Sequence, residues 1–155
     1  MSYEFEIKKL EPVTAATVHY RGKYSDAAKY FPSIFKAVKG KSCGAPFCIY
    51  YNHDEEAQTA DVEVCVPTQE TVNGASIKIK EIPCARALCT VHCGNYESLI
   101  KAYDALRKQI DENNLNAKLS CRETYIKGPG MIFKGNPDNY ITEVAIYLED
   151  ENEQL

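Results

Sequence analysis

The constraint that most narrows what this chain can fold into is that it reads twice. Thr17-Val18-His19-Tyr20-Arg21-Gly22-Lys23-Tyr24 matches Thr90-Val91-His92-Cys93-Gly94-Asn95-Tyr96 with one residue deleted, each at the junction of a strand and a helix. Farther on, Cys48-Ile49-Tyr50-Tyr51 falls opposite Cys121-Arg122-Glu123-Thr124, and Asp61-Val62-Glu63-Val64 falls opposite Ile141-Thr142-Glu143-Val144. Landmarks recurring in one order argue for duplication of a supersecondary unit. The expectation is a single domain over 1–149 made of two halves, about 1–70 and 71–149, with a short acidic tail over 150–155.

The periodicity of each half supplies the elements. Tyr3–Ile7 alternates apolar and polar residues and Val13–Tyr20 is rich in Val, Thr, Ala and Tyr, so both read as strands separated by the Glu11-Pro12 turn. Ala27, Tyr30, Phe31, Ile34, Phe35 and Val38 then recur at helical spacing, with Gly40 at the stop. Pro32 cannot sit inside a regular helix, because its ring removes one hydrogen bond and clashes with the turn before it. Regular helix is therefore expected only from near Phe31. Phe47–Tyr51 and Ala60–Val66 read as strands. The second half repeats the order: strands at Ile77–Ile82 and Arg86–Cys93, and a helix from about Tyr96 to Asn113 with Tyr96, Leu99, Tyr103, Leu106 and Ile110 on one stripe. Strands at Leu119–Ile126 and Tyr140–Leu148 follow, and the acidic tail is expected to fray.

This pattern predicts an α+β fold of two β-β-α-β-β units with pseudo-twofold symmetry: an antiparallel sheet, two helices on one face and a central ligand cleft where the halves meet. Composition narrows the partners. A net charge of -4 with scattered Lys and Arg argues against a nucleic-acid surface. No apolar run is long enough to cross a bilayer and no signal peptide is legible, so a cytoplasmic address and no membrane partner are expected. Seven cysteines without a C-x-x-C read as reduced, mostly buried thiols rather than a disulfide framework or a metal site, and no cofactor is called for.

Glu123 carries the strongest chemical signal. It interrupts the apolar strand around it, and strand alternation places it on one face with Cys121 and Tyr125. A carboxylate turned toward a cleft is costly unless a cation pairs with it or it takes up a proton, and both outcomes are functional. Eleven tyrosines and no tryptophan supply flat walls with hydroxyl handles, which suit an organic cation. Tyr50, Tyr51, Tyr96, Tyr103, Tyr125 and Tyr140 are candidate walls, with Tyr24 a further one. Glu63 and Glu143 are mates in the late strands, read either as ion-paired strand residues or as acids supporting the pocket. His19 and His92, at strand ends, read as structural.

Asp61-Val62-Glu63-Val64-Cys65-Val66-Pro67, Gly94-Asn95-Tyr96 followed by Leu99, Ala102-Tyr103 and Leu106, then Arg122-Glu123-Thr124-Tyr125 and Tyr140-Ile141-Thr142-Glu143-Val144, resemble the GyrI-like small-molecule-binding family. The same domain is the effector-binding part of AraC- and MerR-type multidrug-responsive regulators. The resemblance implies a central pocket whose E-x-Y strand, here Glu123 and Tyr125, meets amphipathic cations. It implies a drug- or toxin-binding protein without an attached DNA-binding segment. Its alternatives are a hydrolase opening cyclopropane-containing toxins, with Glu123 and Tyr125 as catalytic residues, and a gyrase-directed modulator with a protein partner.

Overall fold

The computed structural model describes residues 3–72, 76–129 and 135–150. Among the described residues, eight strands and two regular helices follow the expected order. They are β1 (Glu6–Leu10), β2 (Val13–Lys23), α1 (Phe31–Ala37), β3 (Phe47–Asp54), β4 (Thr59–Pro67), β5 (Lys78–Ile82), β6 (Ala85–Cys93), α2 (Leu99–Glu112), β7 (Ala117–Lys127) and β8 (Ile141–Leu148). A 3-10 turn over Tyr24–Tyr30 leads into α1, so Pro32 falls in the first helical turn, where its missing N–H costs nothing. Both helices close in the same way. Lys39 and Asn114 adopt positive φ, and the amides of Gly40 and Leu115 reach back to the carbonyls of Phe35 and Ile110, which satisfies the last turn. The acidic tail expected to fray lies, but for Asp150, outside the described residues.

The chain forms two compact units, one of Met1–Leu10 with Ala85–Leu155 and the other of Glu11–Cys84. The first carries the antiparallel strand order β1-β6-β8-β7, the second β5-β2-β4-β3. Replacing each strand by its counterpart in the repeat turns one order into the other, with the opening strand exchanged: β1 lies beside β6, and β5 beside β2. The halves expected from the sequence and the compact units in space are therefore different partitions. β1 also begins three residues later than alternation suggests. Tyr3 and Glu4 serve side-chain partners instead, the Tyr3 hydroxyl meeting His92 Nδ1 at 2.8 Å and the Glu4 carbonyl accepting from Thr90 Oγ1 at 2.7 Å.

The ladders correct the register read from the motifs. Glu63 lies opposite His19 and Ile49, whereas Glu143 lies opposite Val91 and Thr124. Counted from these two glutamates, His19 corresponds to Val91 rather than to His92, Cys48 to Glu123, and Tyr50 to Tyr125. A shift of one residue moves a side chain to the other face of a sheet. His19 is accordingly exposed like Val91, while His92 is buried. Short motifs can match at neighbouring offsets; only backbone pairing chooses among them.

In the unit containing α2, one sheet face presents Leu88, Thr90 and His92 of β6, Thr142, Val144 and Ile146 of β8, and Cys121, Glu123 and Tyr125 of β7. Helix α2 covers this face with Leu99, Ala102 and Leu106, all buried. The other face holds a cluster of Leu10, Ala87, Cys89 and Ala145 with Tyr147 against it. In the second unit α1 packs on β2 and β4, and Ile34, Val38, Val62, Val64 and Val66 are fully enclosed. β-branched residues dominate these strands because a branched side chain packs well on a pleated sheet covered by a helix.

Candidate functional site

The start of α2 is built by a short polar relay. Asn95 caps the 3-10 turn Tyr96–Ser98 that leads into α2, its side chain accepting from the Ser98 amide at 2.9 Å, and the Ser98 hydroxyl donates to the Asn95 carbonyl at 2.8 Å. His92 Nε2 lies 2.7 Å from the same hydroxyl. With Ser98 donating to carbonyl, the imidazole proton belongs on Nε2 and Nδ1 accepts from Tyr3. Burial lowers the His92 pKa, which keeps the ring neutral near pH 7. The role is structural: this relay fixes where α2 begins and which of its side chains meet the sheet.

Tyr103, one turn into α2, is thereby carried over β7. Its hydroxyl donates to Glu123 Oε2 at 2.5 Å and lies 3.7 Å from Cys121 Sγ. Tyr125, two residues along the same strand face, donates to Glu123 Oε1 at 2.9 Å. Each carboxylate oxygen thus holds one phenol. Among the described residues no Lys, Arg or His forms an ion pair with Glu123. Desolvation raises its pKa above the usual carboxylate range, and the two hydroxyls only partly oppose this. By accessible surface the residue is half-buried, so the cause is the density of protein around the carboxyl rather than complete enclosure.

The walls extend outward from Tyr125. Tyr96 meets it edge-on at 5.6 Å between ring centres, and leans on Tyr140 at 5.1 Å. Tyr140 is buried; Tyr96 is 39% exposed and forms the outer member of the group. Arg107 lies over the Tyr103 ring, 5.8 Å from its centre. Four of the tyrosines named from sequence, at 96, 103, 125 and 140, therefore gather around Glu123 or its immediate neighbours.

Glu63 and Glu143 are placed otherwise. Glu143 sits on the opposite sheet face from Glu123 and pairs with Lys8 of β1 at 2.6 Å. Glu63, almost fully buried in the second unit, pairs with Lys80 of β5 at 2.6 Å. Each acid is matched by a lysine of the exchanged strand, two strands away. Both are neutralised in place, which is the ion-paired reading of the sequence. Tyr50 and Tyr51 belong to the second unit, where Tyr50 meets Tyr24 edge-on at 5.5 Å. That contact mirrors Tyr96 with Tyr125, but Cys48 stands where the other unit has Glu123. Among the described residues no three His, Cys, Asp or Glu side chains converge as a metal cage. Nor is any described helix long and apolar enough to cross a membrane.

Sequence reasoning missed Gly128. A β-carbon added there would stand 2.6 Å from the Tyr96 hydroxyl, so with any larger residue the outer end of Tyr96 would have to shift. The Gly128-Pro129 step after β7 is a turn signal in the sequence, and nothing in it announces this contact.

Residues 3–149 match the GyrI-like small molecule binding domain. The chain belongs to this family. Comparison with curated proteins finds no significant match. Among solved structures, this GyrI-like domain resembles the crystal structure of the EcmrR C-terminal domain, at 24% identity and a TM-score of 0.80, over 97% of this chain and 99% of that one. It also resembles SAV2435 bound to tetraphenylphosphonium, at 11% identity and a TM-score of 0.65 over 99% and 97% of the two chains. A hydrolase encoded by lin2189 from Listeria innocua is similar at 12% identity and a TM-score of 0.63, over 94% and 92%. At these identities the likeness establishes the fold, and the chemistry has to be argued from the residues of this chain.

Proposed function

We propose that this GyrI-like domain binds and sequesters hydrophobic organic cations, with Glu123 as the counter-charge and Tyr96, Tyr103, Tyr125 and Tyr140 as its aromatic surround. The observation that carries the reading is the contrast among three glutamates. Glu63 and Glu143 each hold a lysine, whereas Glu123 is desolvated with two phenols and, among the described residues, no cation. A carboxylate held in this way gains most from a ligand that brings positive charge together with apolar surface. The tetraphenylphosphonium carried by one structural neighbour has that chemistry. Duplication is part of the proposal: equal strand orders and the matching Tyr24–Tyr50 and Tyr96–Tyr125 contacts support two copies of one ancestral unit, of which one kept the acid.

The test is calorimetric titration with tetraphenylphosphonium of wild type and Glu123→Gln at pH 7.5. A charge about 5–6 Å from the carboxylate at an effective dielectric constant near 20 is worth about 3 kcal/mol, so the variant should bind roughly 100-fold more weakly. Equal affinities would remove Glu123 from the site.

A second reading rests on the same acid. A carboxyl with a raised pKa is suited to general-base catalysis near neutral pH, and Tyr125 could steady the reacting group. A hydrolase of this kind would add water across an activated cyclopropane. Mass-spectrometric detection of the ring-opened water adduct, absent with Glu123→Gln, distinguishes turnover from binding.

A further inference from the structure

We propose that Gly128 is a positioning residue for the acid site: by leaving room for the Tyr96 hydroxyl it seats the Tyr96 ring on Tyr125 and Tyr140, and so sets how large a ligand the site accepts. The inference rests on the cation-binding reading above and adds to it a residue that touches neither ligand nor acid. A β-carbon at position 128 would come within 2.6 Å of the Tyr96 hydroxyl oxygen, closer than real contacts allow, but only 3.9 Å from the ring carbon that bears it. Among the described residues the conflict is therefore with that one oxygen atom. The backbone of Gly128 lies outside the left-handed region, so alanine there adds no backbone strain. What must yield is the outer end of Tyr96, and that ring is in contact with Tyr125 at 5.6 Å and Tyr140 at 5.1 Å. Tyr125 in turn donates to Glu123. A displacement at Gly128 thus passes through Tyr96 to the wall beside the carboxylate.

Tyr96 is the most exposed of the four tyrosines, the outermost wall of the site. A compact cation can rest against Glu123 and Tyr125 alone, whereas a bulky one spreads as far as Tyr96. Gly128 consequently acts on size selectivity more than on affinity for charge.

The experiment compares wild type, Gly128→Ala, Tyr96→Phe and the double variant, titrated with tetraphenylphosphonium as the large probe and phenyltrimethylammonium as the small one. Gly128→Ala should weaken the large probe about tenfold and the small one less than twofold. In the Tyr96→Phe background the same substitution should change neither by more than twofold, because the offending oxygen is gone. An equal loss for both probes, or a loss that persists without the Tyr96 hydroxyl, overturns the proposal. Near-ultraviolet circular dichroism, in which tyrosine dominates because the chain has no tryptophan, supplies a readout that needs no ligand. Gly128→Ala should alter that spectrum in the wild-type background and not beside Tyr96→Phe; no change in the former also overturns the positioning. Should wild type bind neither cation, the cation-site reading fails and the selectivity role with it, while the spectral comparison still decides whether Gly128 places Tyr96.

Discussion

Deleting the Tyr103 hydroxyl should destabilise the protein by an amount that depends on pH, and the geometry at Glu123 says in which direction. Tyr103→Phe keeps the ring that packs under α2 and removes one oxygen, 2.5 Å from Glu123 Oε2. At pH 8 the lost interaction is a hydrogen bond to a carboxylate, worth about 1.5–3 kcal/mol net; below the titration of the acid it is a neutral pair, worth about 0.5–1.5 kcal/mol. Because Glu123 keeps some contact with water, which can replace the phenol, the lower half of the first range applies, about 2 kcal/mol. The sign follows from linkage. The folded-state pKa of Glu123 is raised, so the folded protein holds this proton more tightly than the unfolded chain does. Stability is then fully present below the unfolded carboxyl pKa and is lost as pH rises through the folded one. Removing a hydroxyl that favours the charged form deepens that loss. Urea unfolding at pH 4 and pH 8 should show a destabilisation about 1 kcal/mol larger at pH 8, with an unchanged denaturant slope, and the difference should vanish when Glu123→Gln is also present. A cost that is equal at both pH values, or larger in acid, would refute the view that the hydroxyl serves a desolvated carboxylate.

Glu123→Gln by itself should raise stability at pH 8 relative to wild type, seen as a higher Tm, because it removes a carboxylate whose desolvation opposes folding; a lower Tm would count against that. Lys80→Met should cost about 2–4 kcal/mol by leaving Glu63 buried without its cation, and Lys8→Met less, since Glu143 is more open to water; chemical denaturation measures both, and a larger effect at Lys8 would contradict the assignment. Thiol titration of the native protein should label Cys43, Cys84 and Cys93 quickly and spare Cys48, Cys65, Cys89 and Cys121, with burial holding the Cys89 thiol up near a pKa of about 12. Asn95→Ala should lower stability by about 1 kcal/mol through loss of the cap on the 3-10 turn that leads into α2, readable by thermal unfolding.

The types and order of the elements were legible because each rests on local physics. Pro32 placed the start of α1, the three-four stripe of Leu99 and Leu106 placed α2, and alternation alone put Cys121, Glu123 and Tyr125 on one face. The family followed from the same motifs. Tertiary structure decided what depends on pairing between distant segments. That β1 joins β6 and β5 joins β2 is invisible to any window of sequence, because either lysine-bearing strand fits either partner by composition. The fates of Glu63 and Glu143 hang on that exchange, since the lysines that neutralise them arrive on the exchanged strands. The register that set His92 inside and His19 outside was likewise settled by ladder hydrogen bonds, and the need for glycine at 128 by the approach of Tyr96 from another element. Hydrophobic period and turn chemistry act over a few residues, and a single chain carries them openly; partner choice, register and close approach are properties of two segments at once, and exist only after the chain has folded.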